Sequence, residues 1–206
     1  MNESVTRQPT LIAVLACALL SAACTGPAAN TGSPAPSPTP SSASPTTTSA
    51  TPMRALTPQG FLAKKIGQLA GLDCTSDLDS CAIKFSVDKI DVNPQCHQYG
   101  APAGAGRKTL VLHVSMTTGT LSADGSATAP SIFNPFSLKG IAGDGFVHDA
   151  QSGTCTDYEG RLSNTILPNS RYSGTVEVEV PESTTSIASA HQASADGGRG
   201  WVWEIS

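Results

Sequence analysis

The chain has 206 residues, of which 14% are charged, and 12 Lys and Arg against 16 Asp and Glu leave a net charge of −4. Its basic residues are scattered, with Lys64-Lys65 and Arg107-Lys108 the only adjacent pairs, so the basic face that nucleic-acid binding requires is missing. The same weak acidity argues against docking on anionic lipid through charge.

The first element is an apolar run, Leu11 to Leu20, in the stretch LIAVLACALL. It has the length of the hydrophobic region of a signal peptide and falls short of the ~20 residues a membrane-spanning helix needs. Small residues follow, Leu20-Ser21-Ala22-Ala23-Cys24. This resembles a bacterial lipobox, in which a diacylglycerol is attached to the cysteine and the preceding peptide is removed. It departs from that pattern in having Ser21 where Leu is usual, with Leu20 one step earlier. The alternatives are an ordinary secretory signal cleaved after Ala23 and an uncleaved N-terminal anchor. The reading adopted is a signal peptide over 1–23 and lipidation at Cys24, which would hold the protein on the outer face of the cytoplasmic membrane, because two acyl chains anchor stably where one does not.

From Thr25 to Met53 the chain carries no charge and almost nothing to bury. Such a stretch cannot offset the entropy of ordering, so residues 24–54 are expected to form a disordered Pro/Ser/Thr-rich tether, roughly 30 Å end to end as a coil. The remainder, 55–206, is long enough for one domain with its own core.

Six cysteines are present. Cys17 leaves with the signal and Cys24 carries lipid, which leaves Cys74, Cys81, Cys96 and Cys155. An even number in an exported domain implies two disulfides, with three possible connectivities. Zinc would want two to four residues between paired cysteines, and no spacing here fits.

Along the domain, TPQGFLAKKIGQLAGL is ambiguous: Thr57 and Pro58 are placed like a helix start, yet Gly67 interrupts the pattern. The rest reads as short alternating strands. In AIKFSVDKIDV, Ile83, Phe85 and Val87 share one parity while Ile90 and Val92 take the other, which predicts a β-bulge near Asp88-Lys89. In KTLVLHVSMTTG, Leu110, Leu112, Val114 and Met116 form one face. SIFNPFSLKG and DGFVHD read as shorter strands, with Pro135 placing the former at an edge or a break. RYSGTVEVEVP puts Val176, Val178 and Val180 inward and Glu177 and Glu179 outward, and in WVWEIS the side chains of Trp201, Trp203 and Ile205 share a face.

The segments KKIGQLAGL, FSVDKIDV, TLVLHVSMTTG, LPNSRYSGTVEVEVP and GWVWEI, in that order, resemble the immunoglobulin-like β-sandwich domains of bacterial lipoproteins related to the mycobacterial immunoprotective extracellular antigen. The resemblance implies an all-β, two-sheet antiparallel sandwich in an outward-facing, non-enzymatic role, and carries no active site over. By it, Lys64 to Leu72 would be a first strand hairpinned to Ala82–Val92, with Cys74 and Cys81 at the stems of the loop. The pairing then expected is Cys74–Cys81 and Cys96–Cys155.

Constellations with chemical potential are few. Asp73, Asp77 and Asp79 gather in the loop DCTSDLDSC, but the order of ligands in a calcium loop is missing, and Asp and Ser are also turn residues. GAPAGAGRKT has Arg107 where a phosphate-binding loop needs lysine, and a strand where it needs a helix. His148-Asp149 with Ser152 nearby would require convergence that neighbours on an extended segment rarely achieve. His97, His113 and His191 stand singly. Trp201 and Trp203 alternate as core residues do, and Tyr99, Phe146 and Tyr158 are the aromatics expected at the surface. No cofactor or metal is expected. The function expected is a monomeric, lipid-anchored, extracytoplasmic lipoprotein that binds an unidentified protein or glycan. A structural subunit of an envelope complex and a cryptic hydrolase are the alternatives.

Overall fold

A computed structural model describes residues 56–157, 159–191 and 198–206; the signal, Cys24, the tether and Tyr158 lie outside them. The described chain forms two five-stranded sheets. One runs in the order β2 (Ala70–Leu72), β3 (Ile83–Val92), β4 (Arg107–Thr118), β8 (Arg171–Pro181), β7 (Gln151–Ser152). The other runs β1 (Leu62–Lys64), β10 (Gly200–Glu204), β9 (Thr184–Ala190), β5 (Leu138–Ala142), β6 (Val147–Asp149). The chain is an all-β sandwich.

Alternation builds the core. On β4, Leu110, Leu112, Val114 and Met116 are buried, and Leu110 and Leu112 lie opposite Val178 and Val176 of β8 in an antiparallel ladder from Arg107↔Pro181 to Thr117↔Arg171. Each such side chain contributes about 1.5–3 kcal/mol on burial. Phe85 of β3 meets Trp201 of β10 edge to face, ring centroids 4.8 Å apart, which joins one sheet to the other. Trp201 and Trp203 are therefore core residues. The expected bulge is present: the β3–β4 register slips between Val87 and Lys89, and Ile90 comes back opposite Leu112.

The first strand differs from the expectation. Lys64 to Leu72 is neither one strand nor a helix. Leu62–Lys64 pairs parallel with β10, Ala70–Leu72 pairs antiparallel with β3, and the chain changes sheet between them. Gly67 makes the crossing, with φ at +76°, a region costly for other residues, and its N–H bonded to the Val87 carbonyl at 2.8 Å. Among the named strands the pairing is thus antiparallel except where β1 lies along β10.

SIFNPFSLKG also departs from the strand reading. A short helix, α1 (Ala123–Thr128), is capped by the Ser122 hydroxyl, which accepts from Gly125 N at 2.9 Å. Single 3-10 turns follow at Ala129–Ser131 and Pro135–Ser137, each with proline in its first turn, where the missing N–H costs nothing. Ile132 and Phe133, between the turns, are buried in the main core, and the strand begins only at Leu138.

The disulfides are Cys74–Cys81 and Cys96–Cys155. The first closes the β2–β3 connection. The second ties the segment after β3 to the one after β7.

Candidate functional site

The site is built around a residue that alternation places on the wrong side of the sheet. Glu177 does point away from the sandwich core, as its parity requires, but it does not meet water: it is 2% exposed. The segment after β7 folds over it. One carboxylate oxygen accepts from Cys155 N; the other accepts from Thr156 N at 2.9 Å, from the Thr156 hydroxyl, and from Arg161 Nη2 at 3.2 Å. A buried carboxylate survives only with such partners. Glu179, two residues on, keeps the outward position and lies 3.5 Å from Arg107 Nε.

The covering segment is held by backbone as well. Leu162 N donates to Thr175 O at 2.9 Å and Thr175 N to Gly160 O at 2.8 Å, so residues 160–162 lie against β8. That approach requires glycine at 174, where a Cβ would stand 2.6 Å from Leu162 N. A glycine inside a valine strand signals close backbone approach, and this was the readable trace of the site in the sequence. The Cys96–Cys155 bond fixes the start of the same segment.

Between this segment and the turns after α1 lies a cavity of about 340 Å³. Val176 and Ile166 are part of its lining on one side, Phe133 and Phe136 on the other. Phe136 is 73% exposed. Its backbone N–H is held by Asn134 Oδ1 at 3.0 Å, so the turn that presents it is capped. Polar groups enter the cavity from Asn134, Ser152, Ser163, Asn164 and Thr175, while among the described residues its only ionisable lining groups are the paired Arg161 and Glu177. At the far side of the turns, His191 Nε2 bonds the Ser131 carbonyl at 3.0 Å, and the Ser189 hydroxyl donates to Ile132 O. Burial pushes the pKa of His191 down, and the bond to Ser131 offsets part of that.

The other candidates from the sequence fall in separate places. Asp77 caps the turn Leu78–Ser80, accepting from Asp79 N and Ser80 N at 3.1 Å each, so its carboxylate is engaged locally. Among the described residues, no three acidic, histidine or cysteine side chains gather as metal ligands would. Residues 100–106 form a connection that enters β4 directly at Arg107. Ser152 reaches the cavity, but Asp149 is mostly exposed and pairs with Lys139, whose ammonium holds the carboxyl below its usual range. The trio with His148 is not assembled at the cavity.

His113 has a partner that sequence spacing did not reveal. Its Nε2 lies 2.8 Å from Asp91 Oδ2, across the β3–β4 pair, and Lys89 and His113 together lower the Asp91 pKa. A serine-nucleophile mechanism would need a serine bonded to this imidazole. The nearby Ser115 instead donates to Asp88 at 2.6 Å, as does Ser86 to the other oxygen. His97 lies 3.6 Å from Asp157, both largely exposed. Tyr99 and Phe146 are exposed as expected, at 86% and 67%.

Strand order, core and staples define the class: a disulfide-bonded, two-sheet β-sandwich with a cavity at the cover of one outer face. Solved structures similar to it include a secreted protein of Mycobacterium tuberculosis, MPT63, at 12% identity and a TM-score of 0.41, covering 70% of this chain and 98% of that one. A second is an uncharacterised β-sandwich protein of Clostridium difficile 630, at 13% identity and a TM-score of 0.39, covering 71% and 96%. No family model matches this chain, and no curated protein matches it.

Proposed function

We infer that this chain is an extracytoplasmic, lipid-anchored binding domain that takes its ligand in the cavity beside Glu177 and performs no chemistry on it. Two disulfides support the compartment, since such bonds persist where thiols are not kept reduced. The lipobox-like stretch ending in Cys24 supports the anchor. The observation that carries the binding role is the cavity itself, where apolar side chains and neutral hydrogen-bonding groups share the lining and a buried carboxylate network holds one wall. Ligand sites are commonly largely pre-formed in this way.

Two measurements test this reading. Cells fed an alkyne analogue of palmitate should label the wild type and not Cys24→Ser, which should appear in the medium; a Cys24→Ser protein that stays labelled in the membrane refutes the anchor. A photo-reactive benzoylphenylalanine at position 163, on the cavity rim, should form an adduct in intact cells that the same group at position 104 does not. No adduct, or equal adducts at both positions, refutes the cavity as the binding site.

A further inference from the structure

We propose that the ligand class of this cavity is an uncharged glycan, bound with a sugar ring against Phe136 and its hydroxyls on the neutral side chains around it. The proposal rests on the cavity being the binding site. Charge comes first. Among the described residues, Arg161 and Glu177 are the only ionisable groups lining the cavity, and they pair with one another at 3.2 Å, so this described lining carries no net charge. The two charges offset one another at close range, so a charged ligand would give up its hydration for little net attraction from the wall. Uncharged ligands escape that cost.

Composition narrows the class. Asn134, Ser152, Asn164 and Thr175 offer amides and hydroxyls, groups that both donate and accept and so match hydroxyls, which do the same. Asn134 already spends its oxygen on Phe136 N, which leaves its amide as a donor. A sugar ring presents C–H groups on one face, and Phe136, 73% exposed at the rim, is an aromatic ring of matching size. The volume, about 340 Å³, lies at the small end of ligand pockets, which run to about 1,000 Å³. It therefore encloses the end of a chain, and the rest leaves over Phe136.

The test uses the full chain with its disulfides intact and titrates maltotriose, cellotriose and N,N′,N″-triacetylchitotriose against trigalacturonic acid and the de-N-acetylated glucosamine trimer. At least one neutral trisaccharide should bind, the charged ones should bind at least about tenfold more weakly, and Phe136→Ala should weaken the neutral ligand by roughly tenfold. Tighter binding of a charged trisaccharide, or an unchanged affinity in Phe136→Ala, overturns the proposal. So does failure of every neutral glycan. In that last case the photo-adduct separates the two readings: a peptide captured at position 163 removes the glycan and keeps the site, whereas no adduct removes both.

Discussion

Replacing Glu177 with Gln changes one atom's chemistry and almost no volume, so it isolates the buried network. Suppose the amide keeps its oxygen toward Cys155 N. Its NH₂ then faces Thr156 N and Arg161 Nη2, both donors, where an acceptor stood. The Thr156 hydroxyl can turn its proton away, but the other two cannot. Breaking a buried ion pair by removing one partner costs about 3–5 kcal/mol. Arg161 keeps 22% of its side chain exposed, so water softens its loss and the lower end, about 3 kcal/mol, is expected. For a folded unit of this size that is a fall in Tm of roughly 6–12 °C. Glu179→Gln is the internal control, since that side chain is 18% exposed and its pair with Arg107 is longer. It should lose no more than about 1 kcal/mol. Thermal melts without reductant measure both. If the two variants melt together, Glu177 is not the keystone described, and the rigid cavity wall loses its physical basis.

Two further outcomes follow from the staples and from His191. Converting Cys96 and Cys155 to Ser should cost about 4 kcal/mol in the chain-entropy estimate, and converting Cys74 and Cys81 about 2.5, because the separations are 59 and 7 residues; urea midpoints under oxidising conditions in the reverse order would contradict this. His191 takes up its proton less readily folded than unfolded, so the unfolded chain binds more protons as the pH drops through about 6.5. Stability should therefore hold above that pH and decline below it until the folded imidazole also titrates. His191→Gln, which keeps a donor for Ser131 O, should flatten the slope between pH 7.5 and 5.5, and a slope that survives the substitution would place its origin elsewhere.

Much of the fold was legible because the core depends on a period-2 pattern that the strands carry openly. The parity change between Val87 and Ile90 fixed the bulge, and the valines of β8 declared their inward face. What alternation cannot report is the cover on the other face. Glu177 obeys the pattern and is buried all the same, since the segment that buries it comes from about twenty residues earlier in the chain. The split of Lys64–Leu72 escaped for a related reason. Both halves are three residues long, too short to show a period, and the resemblance supplied one continuous strand where Gly67 turns the chain from one sheet to the other.

The same logic bears on the candidate site. Strands announce themselves through repetition, whereas a cavity wall is assembled from single residues: a glycine that admits a neighbouring backbone, a carboxylate that finds donors, a capped turn that lifts a phenylalanine. Gly174 and Glu177 share β8, but Asn134 stands before the turn Pro135–Ser137, far off in the chain, so no motif could name the three together. Each nevertheless breaks a local expectation: glycine in a strand, charge out of water, and a Pro-Phe turn interrupting what reads as a strand. Where function must be sought without a motif, such departures are the places to look, because holding each of them costs stability that the core alone would not require.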